Sequence, residues 1–235
     1  MRETETPYSR LLRDTAAARA DFLEIPLIGR TLRGESDREL YLRFLEQAYH
    51  HVRHTCPLMG AALARCRPGD ERLRAALIEY LDEEKGHEVW ILDDIEALGG
   101  DREAAKRSGG DIPVRVLVGY AYYAVEHISP YSLLGMVHVL EGMSARLAEP
   151  AARAIAAAIG AGEESGTRPA GFSYLRSHGA LDKAHVAFFE RLINGIDRPG
   201  AQDEIVDMAR IVYRLYGDVF RSLDRKDAEG LRHAS

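Results

Sequence analysis

The chain has 235 residues, of which 46% are hydrophobic and 29% are charged, and its formal net charge is −6. This balance is that of a globular protein large enough to bury a substantial core, and the acidic net charge disfavours a nucleic-acid-binding surface, since phosphate contacts need a basic patch. No run of about 18 apolar residues is present, so the sequence predicts no membrane-spanning helix.

Helical patterns extend over nearly the whole chain, because alanine, leucine, glutamate and arginine dominate and strand-type alternation is scarce. We expect an N-cap at Ser36–Asp37, a bend or break near Pro57 and a cap at Asp70. The predicted helices span residues 8–24, 38–66, 71–98, 113–128, 130–160, 172–195 and 202–224. Residues 101–112 read as a short helix and a glycine-rich loop, and residues 160–171 as a flexible connection. The sequence therefore predicts one all-α domain over residues 1–235, a bundle of about seven helices with its core at about 8–225.

The N-terminus and the cysteines indicate the compartment. Residues 1–10 contain no apolar segment, so we expect no secretory signal. Cys56 and Cys66 are ten residues apart on one predicted helix, which separates them by roughly 15 Å along the axis. They therefore cannot form a disulfide without unfolding that helix, and a reducing cytoplasm is the simplest expectation.

The most informative motif is formed by His178, Asp182 and His185. Their spacing of i, i+4 and i+7 places them on one face of a helix over two turns. Two imidazoles and a carboxylate suit a divalent transition metal, especially iron. The alternative is a polar face in solvent, but apolar neighbours such as Leu181 and Val186 favour the metal, because a buried polar face without partners is expensive.

Two further helices offer acidic or imidazole groups. Glu84 and His87 have the Glu-x-x-His spacing of di-iron carboxylate bundles, although charged helices contain many such pairs and Glu83 could take the same role. Glu141 is an acidic residue within an otherwise apolar stretch, where it is either a metal ligand or a partner of Arg146.

A histidine-rich run lies on the second predicted helix. Tyr49, His50 and His54 could shape a substrate pocket near the metal, or they could form a polar seam between helices. His138, three residues before Glu141, is either a support for a ligand or a core histidine. Taken together, three helices supply three histidines and three carboxylates, which fits two iron ions with open positions for dioxygen.

In their order along the chain, these motifs resemble those of the haem-oxygenase-like di-iron oxidases and oxygenases, over about residues 38–195. These relatives share the fold of haem oxygenase, the TenA thiaminases and pyrroloquinoline-quinone synthase. The resemblance implies two non-haem irons, one of them held loosely, and dioxygen as co-substrate. The ligands it implies are Glu84, His87, Glu141, His178, Asp182 and His185. It also implies a small organic substrate (amino-acid-like, fatty-acid-like or a biosynthetic intermediate), an electron donor and a homodimer.

One position departs from that resemblance, and two other functions stay open. Many members carry a carboxylate seven residues before the helix-three histidine, where this chain has Tyr80; others use Glu-x-x-His, which Glu84 satisfies. Haem oxygenases bind haem through a histidine on the first helix, yet no histidine precedes His50. The alternatives are a cofactor-free oxidase of the quinone-synthase type and a non-catalytic binding or regulatory protein.

Overall fold

The computed structural model describes residues 5–161 and 170–233, and within these ranges the side chains of residues 178–185 and 226–233 are not described. Over the described residues the protein has twelve α-helices, one π-helical turn and no strand, which confirms the predicted all-α class. The helices are α1 (Pro7–Asp14), α2 (Ala16–Leu23), α3 (Pro26–Leu32), α4 (Arg38–Val52), α5 (Thr55–Arg65), α6 (Glu71–Glu84), α7 (His87–Ala97), α8 (Arg102–Arg107), α9 (Ile112–Tyr123), α10 (Ser132–Ala158), α11 (Ser173–Asn194) and α12 (Ala201–His233). The π-helical turn, Ala124–Ile128, follows α9 directly.

The prediction of about seven helices was too low, because several predicted helices are divided. The first is interrupted at Thr15, whose hydroxyl donates to the carbonyl of Leu11 at 2.7 Å. The second divides between α4 and α5, and Pro57 lies in the first turn of α5, where a missing N–H is tolerated. The third divides at Gly86. The sequence analysis did not predict α3, which begins at Pro26.

The two predicted caps differ in what their side chains do. The carboxylate of Asp37 accepts a hydrogen bond from the backbone N–H of Leu40 at 2.7 Å, as an N-cap does. Asp70 precedes α6 but makes no side-chain cap bond to it. It accepts instead from the N–H of Arg67 at 2.7 Å and from the hydroxyl of Tyr131 at 2.9 Å. Asp70 therefore ties the turn before α6 to the start of α10.

Helix α10 is the central element of the fold and packs against both α11 and α12. Its residues Leu133, Leu134 and Val139 are buried in the larger core cluster. Gly135 lets α12 approach closely, because a Cβ at this position would lie 2.8 Å from the backbone nitrogen of Ala209. None of the helices in the described part of the chain is long and apolar enough to cross a membrane.

The start of α11 is anchored to α7 by a buried aspartate. The carboxylate of Asp94 accepts from the backbone N–H groups of Ser173 and Tyr174, at 2.8 Å each. These are the donors that a helix N-terminus leaves unpaired, so Asp94 satisfies them from a neighbouring helix. Helix α11 then runs along α10 and contacts α6 and α7. The helix that carries His178, Asp182 and His185 thus lies against the helices that carry the other predicted ligands.

Candidate functional site

Glu84 and His87 meet across a break between two helices. Glu84 is the last residue of α6 and His87 is the first residue of α7. Between them Gly86 adopts φ 88°, a left-handed conformation that glycine reaches without steric penalty. The break brings His87 Nδ1 to 3.0 Å from Glu84 Oε2, so the imidazole N–H donates to the carboxylate. Both side chains are buried, with 2% and 8% of His87 and Glu84 exposed.

This pair has the chemistry of a prepared metal-binding imidazole. A neutral histidine that donates from Nδ1 carries its lone pair on Nε2, the atom that a metal would require. The ring of His87 also stacks on Trp90, with centroids 4.2 Å apart, which restricts its rotation. Of the two acidic residues that the sequence left open for this position, Glu84 is buried beside His87 whereas Glu83 is exposed.

Glu141 lies in the wall that separates two cavities. The first cavity, of about 180 Å³, is also lined by Glu84, so the two carboxylates face one space. The second, of about 390 Å³, contains Arg19 and His138 in its lining. Glu141 is partly buried in α10, and its grouping with Glu84 as a metal ligand stays a prediction.

Tyr80 lies one helical turn before Glu84 and is fully buried. Its hydroxyl has no hydrogen-bond partner among the residues that the structure describes. A buried hydroxyl without a partner costs about 1–3 kcal/mol, so such a group calls for an explanation. Burial first, and then the carboxylates of Glu141, Glu83 and Glu84, raise the pKa of Tyr80 well above its ordinary value of 10.0.

The remaining predicted ligands are His178, Asp182 and His185. Their backbones lie within α11, as predicted, but their side chains are outside the described residues. Two neighbours on α11 are described: Phe188 packs edge-on against Tyr80 at 5.3 Å between centroids, and Phe189 stacks near His138 at 5.9 Å. Among the described side chains, no group of three or more His, Cys, Asp or Glu could hold a metal, so the six-residue ligand set stays a prediction.

The residues predicted to shape a substrate pocket lie elsewhere. His50 Nε2 contacts the Ser108 hydroxyl at 2.6 Å, and His54 Nδ1 contacts the Tyr122 hydroxyl at 3.1 Å. Neither these histidines nor Tyr49 is among the described residues that line the 180 Å³ cavity with Glu84 and Glu141. His51, which the sequence analysis did not single out, does line it and packs edge-on against Tyr216 at 5.6 Å.

The sequence of residues 42–217, well over half of the chain, matches the model of a protein family described as iron-containing redox enzyme. The chain belongs to this family. A comparison with curated proteins gives no match. The family match confirms the predicted resemblance, as do the solved structures that share the fold.

Solved structures with a haem-oxygenase-like fold match the chain over nearly its whole length. A domain of unknown function from Shewanella denitrificans, with that fold, matches at a TM-score of 0.82 and 20% identity, over 94% of this chain and 93% of that one. A TenA homologue from Pseudomonas syringae pv. tomato matches at 0.77 and 16% identity, over 93% of each chain. Heme oxygenase-1 from the cyanobacterium Synechocystis, in complex with heme, matches at 0.73 and 12% identity, over 97% of each chain.

Sequence reasoning missed two residues that position the helices of the candidate site. Asp94 holds the start of α11, and the adjacent pair Asp93–Asp94 on a largely apolar helix is the signal that could have revealed a buried capping carboxylate. The left-handed Gly86 divides α6 from α7, and its place within Glu84-x-x-His87 is the corresponding signal.

Proposed function

We propose that the protein is a non-haem di-iron oxidase or oxygenase that activates dioxygen and oxidises a small, largely apolar organic substrate. The irons would be held by Glu84, His87, Glu141, His178, Asp182 and His185. The observation that carries this proposal is the buried Glu84–His87 pair, of which Glu84 lines a largely apolar cavity together with Glu141. The family of iron-containing redox enzymes supports iron as the metal.

The described residues fit an iron ion in their chemistry. Imidazole nitrogen and carboxylate oxygen are donors that suit iron. A site with only a few such protein ligands leaves coordination positions open on the metal. The hydroxyl of Tyr80 is buried, has no hydrogen-bond partner among the described residues and feels the charge of four glutamates, which is a setting that a bound cation would explain. Bound iron would supply the electrons and the open coordination position that dioxygen needs in order to react.

The chain itself has three tasks around this site. Glu84 and Trp90 hold the imidazole of His87 in one orientation, which prepares Nε2 for a metal. Glu141 presents a carboxylate from the opposite helix into the same cavity as Glu84. The apolar walls limit access of water, which strengthens electrostatic interactions inside and protects reactive species from side reactions.

The lining of the cavity favours an aliphatic substrate. Its walls are largely leucine, isoleucine, valine, methionine and phenylalanine, from α2, α3, α4, α5, α10, α11 and α12. No lysine or arginine is among the described residues that line it. Pockets bind what matches their polarity, and this one favours a fatty-acid-like chain over an amino acid.

Metal loading tests the assignment of iron. The purified protein would be incubated with ferrous salt without oxygen, desalted and analysed for iron, alongside His87→Ala and His127→Ala. His127 is an exposed histidine on the π-helical turn and serves as the matched control. We expect up to two irons per chain, the second held loosely, in the wild type and equally in the control, and a clear loss in His87→Ala. Oxygen consumption with substrate is expected only in the wild type and the control.

Two other outcomes would assign a different function. Full iron content in His87→Ala would contradict the ligand assignment. Activity in a protein that binds no iron would favour a cofactor-free oxidase, and iron or small-molecule binding without any oxygen consumption would favour a binding protein. Addition of haem to the apoprotein tests whether the protein binds haem instead of non-haem iron. A haem protein would develop a Soret band, and the proposed non-haem enzyme would not.

The substrate class has its own test. Calorimetric titration of decanoate and of leucine into the anaerobic ferrous protein should give binding of decanoate alone. Ala151 lines the cavity, and Ala151→Phe should weaken decanoate binding at least tenfold while iron content stays the same. Ala157→Phe, at an exposed position of the same helix, is the control. Tighter binding of leucine than of decanoate would contradict the aliphatic substrate.

A further inference from the structure

The hydroxyl of Tyr80 is a buried polar group that the predicted ligand set does not use. The side chain is fully buried on α6, and its ring is held by an edge-on contact with Phe188 of α11. Its oxygen has no hydrogen-bond partner in the described part of the chain. A phenylalanine would fill the same volume without burying an unpaired hydroxyl, so packing alone does not account for a tyrosine here.

The surroundings of this oxygen are strongly acidic. Glu141, Glu83 and Glu84 all act on Tyr80 electrostatically, and Glu141 has the largest effect of the three. In the described part of the chain, the groups that act on the pKa of Tyr80 include no lysine, arginine or histidine. Several carboxylates that act on one buried phenol oxygen leave an excess of negative charge near it, and a bound cation reverses the electrostatics of such a site.

The position of Tyr80 on α6 also suits a role beside the predicted ligands. Tyr80 and Glu84 are four residues apart on the same helix, so their side chains leave the same face in neighbouring turns. The contact with Phe188 places Tyr80 against α11, three residues beyond His185 in the chain. Tyr80 thus lies between the helix end that carries Glu84 and the helix that carries the histidine–aspartate motif.

We propose that the phenol oxygen of Tyr80 is a ligand of the iron site, bound as phenolate when the iron is ferric. This inference rests on the proposed function, since it requires iron at the site. Binding breaks the O–H bond and forms an iron–oxygen bond; the proton leaves to solvent, and neither the iron nor the ring changes its oxidation state. Tyr80 thereby adds an anionic oxygen donor that the six predicted ligands do not include.

Spectroscopy of the ferric protein tests this ligand without any assay of activity. The full-length protein is loaded with ferrous ammonium sulfate without oxygen, analysed for iron, and then exposed to air to oxidise the bound metal. A phenolate bound to ferric iron gives an intense charge-transfer band in the visible range, and resonance Raman excitation within that band enhances tyrosine ring modes. We expect both signals in the wild type and their loss in Tyr80→Phe.

A second buried tyrosine provides the control. Tyr131 is also buried, but its hydroxyl donates to Asp70 at the turn before α6, so Tyr131→Phe should keep both signals. The melting temperature of iron-free Tyr80→Phe should equal or exceed that of the wild type, because the substitution removes an unpaired buried hydroxyl. This measurement also verifies that the variant folds.

The outcomes separate this inference from the proposed function. The phenolate ligand is supported if Tyr80→Phe loses the band and keeps its iron. It is also supported if the variant loses both the band and the iron while its melting temperature is undiminished. An iron-loaded wild type without the band, or a band that persists in Tyr80→Phe, overturns the ligand and leaves the di-iron proposal intact. A wild type that takes up no iron overturns both.

Discussion

Replacement of Gly86 by alanine tests the break that brings Glu84 and His87 together. Gly86 has φ 88° and ψ −1°, and a Cβ built on it would meet nothing within 4 Å. The cost of Gly86→Ala is therefore one of backbone conformation alone. The left-handed region costs an L-residue roughly 1–2 kcal/mol, and the stiffer unfolded chain of the variant offsets about 0.4–1 kcal/mol of this.

The net destabilisation is about 1 kcal/mol, which lowers the melting temperature of a chain of this length by roughly 2–4 °C. Thermal unfolding of the iron-free protein, followed by circular dichroism, would measure it. Gly86→Asn should show a smaller decrease, because asparagine tolerates the left-handed conformation better than alanine. Gly119→Ala is the matched control, since Gly119 lies exposed within α9 with no atom near its Cβ position.

The sign of the change decides between two structures of this segment. In a continuous helix over residues 71–98, as the sequence predicted, glycine is the poor residue and alanine would stabilise by about 1 kcal/mol. That is the result expected for Gly119→Ala in α9. A rise in melting temperature for Gly86→Ala would therefore show that α6 and α7 are continuous in solution, and would refute the geometry proposed for Glu84 and His87.

Three further predictions concern stability. Gly135→Ala should destabilise by about 1–3 kcal/mol in urea unfolding, because its Cβ would lie 2.8 Å from the backbone nitrogen of Ala209, and an unchanged midpoint would contradict the close packing of α10 on α12. Asp94→Ala should lower the free energy of unfolding by about 1–2 kcal/mol and speed amide exchange at Ser173, whereas unaltered exchange would exclude its capping role. Burial, and then Arg19, lower the pKa of His138 from 6.5 to about 4. The folded protein is therefore more stable by about 3 kcal/mol above pH 6.5, where His138 is neutral, and this stability is lost as the pH falls towards 4. In His138→Phe the free energy of unfolding should depend less steeply on pH over this range.

The parts of the fold that depend on local sequence were predictable. The all-α class and the helix that became α11 follow from composition and from the 3.6-residue period of apolar positions, both of which are local properties. The N-cap at Asp37 was predictable for the same reason, since a side-chain acceptor three residues before a donor acts within one turn. The order of the ligand-type motifs was sufficient to indicate the family that the chain belongs to.

The number of helices was not predictable in the same way. The helical pattern continues on both sides of Gly86, and an isolated glycine is compatible with either a helix interior or a left-handed turn. Local sequence does not choose between them, and the packing of distant segments, which buries Glu84 and His87 on either side of Gly86, is not visible in the sequence. The sequence alone therefore predicted one helix where the protein has two.

The sequence by itself determined which residue types are available for the site, while tertiary structure decided which of them face one space. His50 and His51 are neighbours on α4, where each residue turns the side-chain direction by about 100°, so only packing determines that His51 lines the cavity whereas His50 contacts Ser108. His54, at the start of α5, contacts Tyr122 instead. The same holds for Tyr80, whose burial without a hydrogen-bond partner depends on the approach of α11 to α6. Spacing along a helix defines a face, but the neighbours of that face come from segments about a hundred residues away, and these decide what the face can bind.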